Sequence, residues 1–344
     1  MMKSVLGAFL ALSLSAPMTA NAQTVADFYS GKTIQMVVPF SAGGIYDIST
    51  RILARHMPRF IPGQPNMVVQ NQPGGGGILA ANRLASAVDK DGLTIASVSR
   101  GIPQLALVGE PNISFDPAKL TWLGSISSYS DDAYLLTVMA NNKVNTVAES
   151  QNGALLNLGG VGAGATNTTF AMLAHDLLGM KIEVIRGFPG ANDVWLAMER
   201  GELDGQVIDI SAIKSSRPNF WNEKKVKFLV QFGRATRLES MPDVPTGREL
   251  VKNADDRALL EFAESPFFMA LPYAAPPGIP ADRVKALREA FMSATTTTDF
   301  LTEATKIGLN VSPIDGAAVD KIVEAAAQTA KPIRDRLGTF LLAK

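Results

Sequence analysis

The chain has no cysteine, and its 344 residues include only two histidines. Without thiols there is no disulfide, no thiolate metal site and no cysteine nucleophile. His56 and His175 each fall inside an expected amphipathic helix with no metal-spaced neighbour, so both read as surface or packing residues. His-Glu-x-x-His, Gly-x-Ser-x-Gly and the Walker loop with its Gly-Lys-Ser/Thr end are all missing. No catalytic residue, metal or cofactor is expected, and a hydrolase or isomerase would lack a convincing base or nucleophile. Neither charge sign dominates, with 32 Lys and Arg against 32 Asp and Glu. A nucleic-acid partner needs a basic face, and this balance argues against one. Beyond the first residues no apolar run is long enough to span a bilayer, so stable membrane insertion is not expected.

What is present begins with a leader. Lys3 is the only charge before Asp27, Val5 to Leu14 is apolar, and Ala20-Asn21-Ala22 has the small-x-small form of a cleavage site. Residues 1–22 read as a secretory signal peptide cleaved after Ala22, which places mature Gln23 onward in the periplasm. Hydrophobic residues at 47% and charged residues at 19% describe a globular chain with a large core.

Strands and helices alternate. Ile34–Phe40, Met67–Gln70 and Leu93–Val98 read as strands, with helices from Ile48 to Phe60 and from Ile78 to Val88 between them. Tyr134–Met139, Ala154–Leu158, Lys181–Ile185, Gly205–Asp209 and Val226–Phe232 give a second set, separated by helices Thr168–Leu178 and Ala191–Arg200. Pro266–Leu271 reads as a strand returning to the first unit, and the tail from Pro280 to Leu342 as mostly helical. Alternation of this kind predicts parallel sheets with right-handed crossovers. The pattern divides the mature chain into lobe 1, residues 23–130 plus 265–344, and lobe 2, residues 131–264.

Val37 to Asp47 is a strand end, a Gly-Gly turn and a helix start, a geometry that aims free backbone N–H groups at an anion. The same logic recurs at Pro73–Gly77 and at Gly159–Asn167. Ser41, Ala42, Gly43 and Gly44 are one candidate nest, with Gly44 expected at positive φ. Gly75, Gly76 and Gly77 are a second, and Gly164, Ala165, Thr166 and Asn167 a third in the opposite lobe. The competing reading for each glycine is an ordinary tight turn. Phe40 and Phe188 are candidate apolar walls. Asp47 either orients the first loop through backbone N–H groups or meets a ligand directly. Arg100, at a strand's carboxyl end, is either a ligand clamp or a solvated cation; Arg186 is a weaker candidate of the same kind. Asp131 and Asp132 read as a solvated turn, and Trp122, Trp195 and Trp221 as packing residues. Asn167-Thr-Thr169 fits a glycosylation pattern that is frequent by chance.

Taken in order, Val37–Asp47, Asn71–Gly77, Asp91-Gly-Leu-Thr94, Gly201-Glu-Leu-Asp204, Arg237–Thr246 and Ala275–Pro280 resemble a Bug-type or TctC-type solute-binding protein of a tripartite tricarboxylate transporter. The resemblance implies a two-lobed α/β periplasmic-binding-protein architecture of the type II, Venus-flytrap kind. It implies a small organic acid bound between the lobes and delivered by a monomeric receptor to integral-membrane transporter subunits. It places Phe188 and Gly190 near the ligand in the second lobe, where Phe188-Pro-Gly-Ala191 stands in place of the family's Tyr-Lys-Gly-Ser. It also places an acidic residue at Ile208 or Asp209. Two other classes stay open at this point: an exported sensor acting on a signalling partner, and the periplasmic hydrolase or isomerase.

Overall fold

The computed structural model describes residues 23–342. The expected signal peptide and its cleavage site lie outside the described residues. The described residues form two sheets. The strands of the first are β1 (Thr33–Val38), β2 (Asn66–Asn71), β3 (Thr94–Ser97) and β4 (Thr121–Ser125). The second holds β5 (Tyr134–Met139), β6 (Leu156–Gly160), β7 (Ile182–Arg186), β8 (Gly205–Asp209) and β9 (Val226–Phe232). β10 (Pro272–Ala275) and β11 (Ile314–Asp315) then complete the first. Its order is β11-β4-β10-β3-β1-β2, and that of the second is β7-β6-β8-β5-β9.

Each sheet keeps a parallel core. β1 pairs in parallel with β2 and β3, and β6 with β7 and β8. The expectation of wholly parallel sheets fails at the strands that follow a crossing between lobes. β10 lies antiparallel between β3 and β4, and β5 antiparallel between β8 and β9. A chain arriving from the other lobe enters a sheet from the opposite end, which reverses its direction. Pro266–Leu271 is also not a strand. It is a 3₁₀ turn, Ser265–Met269, that packs Phe267 and Met269 inward before β10 begins at Pro272.

The β1 segment reads as continuous apolar because Ile34, Met36, Val37 and Val38 are all buried under helices on both faces. The helix Ile45–His56 buries Ile45, Ile52 and Leu53, with Asp47 in its first turn and Arg55 and His56 in its last, the polarity that suits its dipole. His56 meets Glu303 at 2.8 Å and lies edge-on to Phe300, a packing role. Trp122 and Trp195 are fully buried. The last helix, Lys331–Leu341, packs against the helices Ala254–Glu264 and Thr166–Asp176, and Arg336 bonds Asp256. Beneath the junction of the lobes, Tyr134, Phe170, Phe232 and Phe267 form an aromatic cluster with ring separations from 4.8 Å to 5.6 Å. Such pairs contribute about 0.5–1.5 kcal/mol each beyond their buried area.

Candidate ligand-binding site

The first loop is built by its own helix. Gly43 takes φ +83°, which only glycine adopts without strain, and its N–H donates to Asp47 Oδ2 at 2.9 Å. Gly44 has φ −86° and not the positive φ expected of it, because it is the N-cap of the helix and already extended. Asn71 Nδ2 donates to the Phe40 carbonyl and to Asp47 Oδ1, each at 3.0 Å, and Arg51 pairs with Asp47 at 2.8 Å. Burial pushes the Asp47 carboxyl up, but the bonds from Arg51, Gly43 and Asn71 outweigh it and hold the carboxyl below its usual range. Asp47 therefore acts on the loop's shape.

The lobes meet along a hydrogen-bonded seam. Ser41 N–H donates to the Pro189 carbonyl at 3.2 Å and its hydroxyl to Asp193. Asn192 Nδ2 donates to the Ala42 carbonyl at 3.3 Å. Gly164 N–H donates to the Gly75 carbonyl at 3.4 Å, and Ser99 Oγ to the Gly164 carbonyl at 2.6 Å. A Cβ on Gly76, whose φ is +66°, would stand 2.7 Å from both Gly164 N and Ala165 N. Gly76 thus serves close approach between lobes and Gly75 offers its carbonyl to the seam, while Gly77 lets Ser99 and Pro39 of its own lobe pack close.

Inside the seam lies a partly open cavity of about 510 Å³, solvent-filled space at its mouth included. Of the expected site residues, Phe40, Ser41, Gly44, Arg100, Ala165, Thr166, Asn167 and Asp209 line it. The others stand outside the lining. Gly43 and Asp47 shape the first loop, Ala42, Gly75, Gly76 and Gly164 belong to the seam, and Gly77 packs on Ser99 and Pro39. Phe188 packs, half-buried, on the core, and Gly190 presses against Ser41. Arg186 is exposed. Ile208, the other position considered beside Asp209, lines the cavity too, and Ile45, Tyr46, Ser99, Tyr134 and Val161 line it without having been singled out by sequence. Tyr46 and Ser99 are sequence neighbours of motif residues, the one signal that pointed to them. Helices start at the cavity from both lobes, capped by Gly44 on one side and by Ala165 and Gly190 on the other.

Arg100 is no solvated strand-end cation. It is 3% exposed and reaches across the seam to Asp209 Oδ2 at 2.7 Å, with Nε donating to Thr166 Oγ1 at 3.3 Å. Its guanidinium lies 4.9 Å from the Phe267 ring centroid and 5.2 Å from that of Tyr134. Burial opposes its charge, but the Asp209 carboxylate more than compensates and holds its pKa well above the ordinary value. Of the buried donors that lack partners among the described residues, two belong to the cavity's walls, Arg100 Nη1 and Asn167 Nδ2. Asn167 Oδ1 is occupied by the Thr168 N–H at 2.8 Å, so its amide nitrogen is the atom left over.

Behind the ion pair sits a smaller polar chamber walled by Tyr129, Asp132, Ser211 and Asn310. Asp132 is buried, not part of a solvated turn, because the chain crossing between lobes is itself enclosed; Asp131 beside it stays exposed. The Asp132 carboxylate accepts the Ala133 N–H at 2.8 Å and the Ser211 N–H at 3.3 Å. Burial, reinforced by Asp209, pushes its pKa up to about 7. Tyr129 holds φ +69°, a conformation that costs of order 1–3 kcal/mol, and is kept there by stacking on Phe267 at 4.7 Å.

Two α/β lobes joined by crossing segments, closed over a cavity that collects helix starts and unpaired donors, define a solute-binding protein. The chain belongs to the tripartite tricarboxylate transporter family receptors, whose family model matches residues 50–339. These are solute-binding proteins and not enzymes. The chain is 27% identical over 340 residues to the UPF0065 protein in the gbd 5' region of Cupriavidus necator, covering 97% of this chain and 95% of that one. Among solved structures it is similar to MatC from Rhodopseudomonas palustris with bound malate, at TM-score 0.69 and 22% identity over 89% of this chain and 99% of that one. It is also similar to the R. palustris protein Rpa4515 with adipate, at TM-score 0.70 and 19% identity over 89% and 97%. No described helix is long and apolar enough to cross a membrane.

Proposed function

We propose that this protein captures a small organic acid in the interlobe cavity, in the periplasm, and delivers it to integral-membrane transporter subunits. The observation that carries this reading is the pair of buried, unpartnered donors, Arg100 Nη1 and Asn167 Nδ2, among the cavity's walls. A buried donor without an acceptor costs about 1–3 kcal/mol, and a carboxylate removes that cost at both. The helix starts at Gly44, Ala165 and Gly190 add partial positive charge without adding a cation. Malate and adipate in the two structural neighbours are both carboxylates, which supports the class. The receptor description of the family supports delivery to a membrane partner.

A thermal-shift screen of mono-, di- and tricarboxylates and aromatic acids tests the reading. A ligand at 100 times its Kd stabilises by about 2.7 kcal/mol, so at least one acid should raise the melting temperature clearly. Scattering with that acid should give the closed, compact form. A panel with no stabiliser overturns the proposal. Deleting the gene should abolish uptake of the same acid; normal uptake would indicate a signalling role instead.

A further inference from the structure

Among the described residues, the only charged side chains on the cavity's walls are Arg100 and Asp209, and they are bound to each other. The remaining walls are largely apolar, with Phe40, Ile45, Val161, Val207 and Ile208 prominent. We propose that Asp209 is a charge filter that restricts the site to monocarboxylates with an apolar body and rejects di- and tricarboxylates. This rests on the receptor reading above and narrows its ligand class.

Charge must balance in a closed space. Arg100 and Asp209 cancel, so the walls carry no net charge. One incoming carboxylate finds Arg100 Nη1, Asn167 Nδ2 and the helix starts. A second carboxylate on the same molecule must either lie on the apolar wall without a cation or approach the Asp209 carboxylate. Both are unfavourable, because a buried charge needs a partner. Asp209 accepts from Arg100 on Oδ2 and has the Tyr129 hydroxyl beside it, and as an ionised carboxylate it offers acceptors only, which repel a further anion. Asp132, buried behind it, adds no positive charge to offset this. Arg51, which could have served a second carboxylate from the first loop, is committed to Asp47 and Asn71 instead.

Pairs of acids matched in size but differing by one carboxylate give the test: hexanoate against adipate, and benzoate against terephthalate, titrated calorimetrically into the mature protein at pH 7.5. Every pair with at least one binding member counts. The monocarboxylate should bind at least tenfold more tightly in each. In Asp209→Asn, which frees Arg100 for a second anion, that ratio should shrink at least fivefold or reverse. Because the ratio compares two ligands on one protein, it is insensitive to a general weakening of closure in the variant. Should Asp209→Asn not fold, the wild-type ratios decide alone. Equal or tighter binding of the dicarboxylates overturns the filter and leaves the receptor reading standing, as does a ratio unmoved by Asp209→Asn. Binding of no acid in the pairs or in the wider screen overturns the receptor reading and this inference together.

Discussion

Removing Arg100 tests the interlobe ion pair as a physical unit. Arg100 Nη2 and Asp209 Oδ2 are 2.7 Å apart, with side chains 3% and 6% exposed. At an effective dielectric of about 20, two unit charges at that distance attract by roughly 6 kcal/mol. Most of this is offset by the cost of taking both ions out of water. The net worth of the pair is therefore modest, while breaking it is costly. Arg100→Ala leaves the Asp209 carboxylate buried without its cation and should destabilise the protein by about 3–5 kcal/mol. Asp209→Ala strands the guanidinium, which keeps its place over Phe267 and Tyr134, and should cost somewhat less. The double variant strands neither charge, so it should be no less stable than Arg100→Ala alone. Urea unfolding of the wild type, both single variants and the double variant at pH 7.5 gives the coupling energy, expected at about 2–3 kcal/mol. Additivity of the two single losses to within about 0.5 kcal/mol, the behaviour of independent sites, would refute the claim that the two residues act as one buried unit.

Gly76→Ala should impair closure, since its Cβ would meet the Gly164 and Ala165 amides and φ +66° adds about 1–2 kcal/mol of strain for a non-glycine residue. Its scattering profile with ligand should stay more extended than that of the wild type, and an identical compact profile counts against the seam as described. Asp132 binds its proton more tightly folded than unfolded, so between its ordinary value of 3.8 and about 7 the folded state holds more protons and stability falls as pH rises. Asp132→Asn should flatten the melting temperature between pH 4.5 and 8, and a slope unchanged from the wild type would place that pH dependence elsewhere. Asn71→Ala removes the donor that ties the Phe40 carbonyl to Asp47. It should cost about 1–3 kcal/mol and weaken acid binding in a folded protein, which calorimetry and circular dichroism together check.

Much of the fold is legible because long apolar runs leave little choice. Tyr134–Met139, Gly205–Asp209 and Val226–Phe232 are strands at the residues the pattern marks. β4 escapes notice because Thr-Trp-Leu-Gly-Ser is short and ends in residues typical of turns. Pro266–Leu271 misleads because Phe267, Met269 and Leu271 are apolar and alternate, yet the burial they satisfy is that of a turn wrapped around Tyr129 and Tyr134. The site is legible where a motif carries it, as in the Phe40–Gly44 loop and the Ala165–Asn167 helix start. Its electrostatics are not. Arg100 and Asp209 are 109 positions apart and in different lobes. Nothing local in either segment says that one neutralises the other. Asp132 beside Asp131 looks solvated for the same reason, since its enclosure is created by Asn310 and Ser211 arriving from distant parts of the chain. The glycines at 75–77 show the converse error. Their sequence matches an anion-binding loop, but the space beside Gly76 is filled by the opposite lobe's backbone and that beside Gly77 by Ser99 and Pro39.

The central claim is that a carboxylate sits between the lobes on the donors left unpaired there. A crystal structure of the mature protein with the acid that stabilises it most tests this directly. The account predicts density for the acid inside the seam, with a carboxylate oxygen about 2.7–3.2 Å from Arg100 Nη1 or Asn167 Nδ2 and the Ser41–Pro189 and Ser99–Gly164 bonds intact. An acid bound elsewhere on the surface, or a cavity that closes empty while both donors find partners within the protein, would contradict it.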